Sequence, residues 1–119
     1  SLNLSTAWTL RLRLRWAAIL WGNTSADLAI SGGVHTASDV LKSMMAGARV
    51  AMVASSVLRH GPEHVRTLLD GVREWMASHE YESIQQMQGS MSHQHCAEPA
   101  ALERANYMRV LRSYALKGR

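Results

Sequence analysis

The sequence predicts an α/β fold of successive βα units with parallel strands, and three observations predict it. Two short apolar stretches, residues 26–30 and 50–54, each stop abruptly at small residues: Ser31-Gly32-Gly33 after the first, Ser55-Ser56 after the second. Each is followed by a segment with the apolar spacing of a helix, a period of about 3.6 rather than 2. The second stretch is apolar without interruption, as expected of a parallel strand covered on both faces. Small residues at the carboxyl end of such a strand leave backbone N–H groups open, and the helix that follows adds positive potential at its N-terminus. That combination suits a phosphate. Two adjacent strands of this kind at the end of a (β/α)8 barrel form a phosphate grip.

The elements follow in order. Leu10, Leu12, Leu14 and Trp16 alternate with Arg11, Arg13 and Arg15, which is strand periodicity. From Trp16 to Trp21 the alternation is lost and a short helix fits better, before a loop at Gly22-Asn23-Thr24-Ser25. After the strand over 26–30, Thr36 is placed to cap a helix and Asp39 to sit in its first turn. Val40, Leu41, Met44, Met45 and Ala48 form its apolar stripe, and Gly47 is placed to end it. The second strand covers 50–54. Gly61-Pro62-Glu63 then opens a long helix with Pro62 at its first position and Val65, Leu68, Leu69, Val72, Trp75 and Met76 on its buried face. Ser83-Ile84-Gln85-Gln86 is a capping box for a further short helix closing at Gly89. Residues 90–98 read as polar linker. Pro99 starts a last helix carrying Leu102, Ala105, Leu111 and Tyr114.

Composition narrows the function classes. At 119 residues the chain holds one domain but falls far short of the roughly 250 residues of a complete barrel. With 47% hydrophobic and 18% charged residues it is globular. The net charge is +4, yet the basic residues are dispersed apart from Arg11, Arg13 and Arg15, so nucleic acid is not the expected partner. A single cysteine excludes an internal disulfide framework and fits a reducing compartment. No run approaches the roughly 20 apolar residues of a membrane span, and no leader pattern opens the chain. A cytoplasmic protein with no membrane partner is expected.

Three motifs carry a resemblance. Ile30-Ser31-Gly32-Gly33-Val34-His35-Thr36, then Val53-Ala54-Ser55-Ser56, then Trp75-Met76-Ala77-Ser78-His79-Glu80-Tyr81-Glu82-Ser83-Ile84 resemble the last quarter of dihydroorotate dehydrogenases and their close relatives, which are FMN-dependent (β/α)8 barrels. The third motif is the specific one, because many phosphate-binding barrels share the first two. The resemblance runs from Leu2 to Ser92. It implies the C-terminal fragment of a TIM barrel, its last two to three βα units, over 1–92, with a linker and C-terminal helix over 93–119. Leu2-Asn3-Leu4-Ser5 would be the remains of strand six. The arginine-rich stretch would be a loop leading into the helix near Trp16, against the alternation reading.

The resemblance further implies that Gly32, Gly33, Ala54 and Ser55 bind the FMN phosphate through backbone N–H groups, although the family usually has glycine where this chain has Ala54. Ser31, Ser55 and Ser56 are able to donate hydroxyls to it, or else to satisfy loop backbone and cap the next helix. The family's flavin-contacting lysine, substrate loops and catalytic base lie on earlier strands, so no catalytic residue is expected here, and Cys96 does not correspond to the base. The expected function is the FMN-phosphate-binding portion of a dihydroorotate dehydrogenase-like flavin oxidoreductase, a class that belongs to pyrimidine metabolism. That portion is not catalytic alone. The alternatives are a piece of another phosphate-ligand barrel and a non-catalytic oligomeric interaction module. Expected partners are the remainder of the barrel or further copies of the chain.

The other candidates have plainer readings. His35 reads as an exposed loop residue, and Arg59-His60 as a solvated loop beside the phosphate turn. His93-Gln94-His95-Cys96 offers three zinc-ligand types where a closed site needs four, so no metal is expected. The pairs Met44-Met45 and Trp75-Met76 are core stripe.

Overall fold

The computed structural model describes residues 3–95; Leu2, Cys96 and the helix expected after Pro99, with Leu102, Ala105, Leu111 and Tyr114, lie outside the described residues. The order is α1 (Ala7–Leu20), β1 (Ala29–Ser31), α2 (Ala37–Ala46), β2 (Val50–Met52), α3 (Ser55–His60), α4 (His64–Ser78), α5 (Ile84–Met87) and a 3-10 turn at His93–His95. The strands are parallel neighbours in the register Ala29 with Val50, Ile30 with Ala51 and Ser31 with Met52, and α2 makes the crossover between them. This is a βαβ unit, so the chain is α/β. No described helix is long and apolar enough to cross a membrane.

Among the described residues the sheet is covered on one face only. Ile30 is buried against Leu10, Ala17, Val34, Ala46 and Ala48, with Leu14 and Ala51 packed around them. Each large aliphatic side chain buried there contributes about 1.5–3 kcal/mol. Ala29, Ser31, Val50 and Met52 project to the other side and are exposed. The uninterrupted apolar run of the second strand therefore does not mark burial on both faces within the described residues. A second cluster, Leu41, Met44, Val72 and Met87, joins α2 to α4 and α5.

The arginine-rich stretch is neither strand nor loop. It lies inside α1, a single helix. The alternation misleads because residues four apart satisfy a period of 2 and nearly satisfy 3.6. Leu10, Leu14 and Ala17 turn to the core, while Trp8, Leu12, Trp16 and Leu20 form a stripe that stays exposed. Arginine and leucine are both good helix formers, so local preference agrees. Nor do Asn3, Leu4 and Ser5 form a strand; they run irregularly into α1.

The α2 signals hold. Thr36 Oγ1 accepts from Asp39 N–H at 3.2 Å, and Asp39 Oδ2 accepts from Thr36 N–H at 3.0 Å. A cap of this type contributes about 1 kcal/mol. Gly47 ends the helix at φ +120°, and a Cβ there would run into the Trp21 indole. The β2–α4 connection was less legible. The short α3 intervenes, and Pro62 sits in the turn before α4 rather than at its first position. α5 starts after Ser83 as its capping box requires, with Gln86 Oε1 accepting from Glu82 N–H at 2.8 Å. Beyond it the chain docks on α2, where Gly89 N–H donates to Met44 O at 3.0 Å and Met91 N–H to Met45 O at 2.8 Å.

Candidate functional site

The turns that leave the carboxyl ends of β1 and β2 meet around Ser5. Gly33 N–H donates to Ser5 Oγ at 3.1 Å. Ser5 N–H donates to Ser55 Oγ at 3.0 Å, and the two hydroxyls are 2.9 Å apart. His35 Nε2 lies 3.0 Å from the Ser5 carbonyl oxygen, and His64 Nε2 lies 2.8 Å from that of His35. Two of the predicted residues, Gly33 and Ser55, are thus brought together, and the residue that joins them comes from the irregular segment before α1.

Counting hydrogens identifies the donor of this cluster. Two hydroxyls share one hydrogen bond, so one hydroxyl hydrogen is left over. With Ser5 Oγ receiving the Gly33 N–H and giving its own hydrogen to Ser55, Ser55 accepts twice and its own hydrogen is not used within the cluster. The sequence N–H, O–H, O–H polarises in one direction, which strengthens the terminal donor. Gly33 N–H is therefore spent on Ser5 and is not an open donor. Gly33 is glycine for a packing reason as well. At φ +88° a Cβ would overlap the backbone nitrogen of Leu10 and stand 2.9 Å from Thr6 O.

The remaining predicted residues flank this cluster. Ser31 is exposed on the open face of the sheet. A side chain on Gly32 would begin 3.1 Å from Arg13 Nε, so the Arg13 guanidinium, held by Thr9 O at 2.7 Å, overlies that turn. Ala54 is exposed and precedes α3. Ser56 is fully buried, and its hydroxyl finds no partner among the described residues.

At the start of α2 the Asp39 N–H donates to Thr36 Oγ1, and the Asp39 carboxylate, which accepts from His35 and Thr36 N–H, disfavours an anion there. His35 is half-buried and bonded, not an exposed loop residue. Arg59 and His60 are exposed, with the His60 ring 4.7 Å from that of His64. His95 Nδ1 lies 2.9 Å from Gly89 O, and no three metal-ligating side chains converge among the described residues. Ser5, His64 and Arg13 are not among the site residues that the sequence predicts. No spacing or motif announces a hydroxyl that acts from irregular backbone.

Both flanks of the sheet carry apolar grooves. One of about 470 Å³ lies between β2, α4 and α5 and is lined by Val53, Val65, Leu69 and Ile84 among others. The other, about 450 Å³, lies between α1 and β1 along Leu12, Trp16, Leu20 and Leu28.

No protein-family model matches the chain. It is 30% identical over 70 residues to a protein of Aeropyrum pernix described as putative dihydroorotate dehydrogenase A (fumarate), a match covering 59% of this chain and 23% of that one. It is 29% identical over 75 residues to the chloroplastic dihydropyrimidine dehydrogenase (NADP(+)) of Arabidopsis thaliana, covering 61% and 18% respectively. The matches thus span about a fifth of the length of these relatives. They support a relation to dehydrogenases of this kind.

Proposed function

We propose that the chain is the carboxyl-terminal part of a dihydroorotate dehydrogenase-like flavin oxidoreductase of TIM-barrel fold, and that it supplies the phosphate end of an FMN site without being catalytic alone. The observation that carries this reading is the meeting of the β1 and β2 turns around Ser5, which leaves one hydroxyl hydrogen to donate. The donor set fits a phosphate. Ser55 O–H is the principal donor, Ser31, Gly32 and Ala54 line the approach, Gly33 supports through Ser5, and the Arg13 guanidinium adds positive charge beside Gly32. Hydride-accepting chemistry belongs to the flavin ring, and the groups of this chain hold and orient only its phosphate.

The surfaces around the site support the barrel reading. A barrel encloses one face of its sheet and continues from each edge strand to a neighbour. The exposed inner face of Ala29, Val50 and Met52, the α1 stripe and the β2–α4 groove are where those neighbours belong. The remaining βα units, or further copies of the chain, cover them.

The test is phosphorus NMR of FMN and of inorganic phosphate titrated with the full chain and with Ser55→Ala. The expected result is a phosphate resonance that moves with the unaltered chain and about tenfold less affinity in the variant, the loss of one hydrogen bond to a charged group. Undiminished binding by Ser55→Ala would place the phosphate elsewhere. Stoichiometric flavin in the protein as purified would overturn the claim that this part is incomplete alone.

A further inference from the structure

We propose that His35 and His64 are positioning residues that hold Ser5 so that Ser55 presents its hydroxyl hydrogen, an inference that rests on the anion reading of that hydroxyl. Both rings face carbonyl oxygens, which only accept, so both must carry their hydrogen on Nε2. His35 Nε2–H donates to Ser5 O, and His64 Nε2–H donates to His35 O. Ser5 belongs to no helix or strand. Its place is set by its own polar groups: N–H on Ser55 Oγ, Oγ under Gly33 N–H, and C=O on the His35 ring.

His35 is itself fixed from both sides. Its N–H donates to Asp39 Oδ2 at 3.0 Å, which ties it to the start of α2. Its carbonyl takes the ring of His64, the first residue of α4, against which the His60 ring lies tilted. The two imidazoles therefore form a strut from α4 through His35 to Ser5. Without it the Ser5 carbonyl has no other anchor among the described residues, and the pair of hydroxyls is free to reverse its direction, which withdraws the hydrogen from the anion.

The experiment compares His35→Ala, His35→Gln, His64→Ala and His64→Gln in the full chain. Glutamine keeps an N–H at similar reach. Affinity for inorganic phosphate is expected to fall about tenfold in His35→Ala and about threefold in His64→Ala, and to recover in each glutamine variant. Nitrogen-15 spectra of the unaltered protein are expected to show the Nε2–H form in both rings, and Gly33 N–H is expected to exchange faster in His35→Ala than in His35→Gln. If the unaltered chain binds no phosphate, the proposed function fails, while ring tautomers and Gly33 exchange still decide the strut. An Nδ1–H form in either ring, or glutamine variants no better than alanine ones, would overturn it.

Discussion

The turn after β1 and the turn after β2 look alike in sequence, each a few small residues before a helix, yet they are chemically opposite. The first is closed upon itself. Gly33 N–H is bonded to Ser5, Asp39 and Thr36 cap each other at the start of α2, and the backbone of α1 packs directly on Gly33. The second is open among the described residues, since no side chain caps α3, Ser55 Oγ only accepts, from Ser5 N–H and Ser5 Oγ, and Ser56 is buried without a partner there. Gly33 lets α1 approach, and that approach brings Ser5 to Ser55.

Placing a methyl group on Gly33 would break the first turn most severely. Overlap with Leu10 and the left-handed backbone together are expected to cost Gly33→Ala about 3–5 kcal/mol, read as a lowered melting temperature or loss of the cooperative transition. A variant as stable as the parent would mean that α1 does not pack there. Ser5→Ala attacks the link between the turns. It leaves Gly33 N–H without its acceptor and is expected to cost about 1–3 kcal/mol in urea unfolding, together with most of the phosphate affinity.

Asp39→Ala separates the turns rather than breaking them. Removing the carboxylate is expected to lower stability by about 1 kcal/mol, because Thr36 and His35 N–H groups lose their acceptor. It also removes a negative charge near the site, so phosphate affinity is expected to hold or rise. A fall in affinity would show that the carboxylate acts through His35 in holding Ser5. The smallest effect belongs to Ser31→Ala, which changes an exposed side chain and is expected to leave the denaturation midpoint within about 0.5 kcal/mol of the parent. Any larger shift would assign Ser31 a contact on the open face of the sheet.

Much of this was legible in order along the chain. Thr36 and Asp39, Gly47, Ser83 with Gln86, and the stripes of α2 and α4 each predict what forms, because caps and helical periodicity are local and operate within one or two turns. The sequence of α1 misleads because its leucines satisfy two periods at once. The six-residue α3 is too short for any period to show. Pro62 marked the start of α4 correctly to within a turn.

By itself, then, the sequence determined the βαβ order, the capped helices, and the two strand ends where chemistry is expected, since each depends on neighbours a few residues away. Only the tertiary structure decided which turn keeps a donor. That choice depends on Ser5 meeting Ser55, fifty positions away, and on His64 reaching His35 across twenty-nine. It also decided that the sheet is open on one face among the described residues, because burial is a property of what packs beside a strand and not of the strand's own residues. Hydrogen bonds across such separations leave no periodic trace in a sequence, because the fold that brings the partners together sets them.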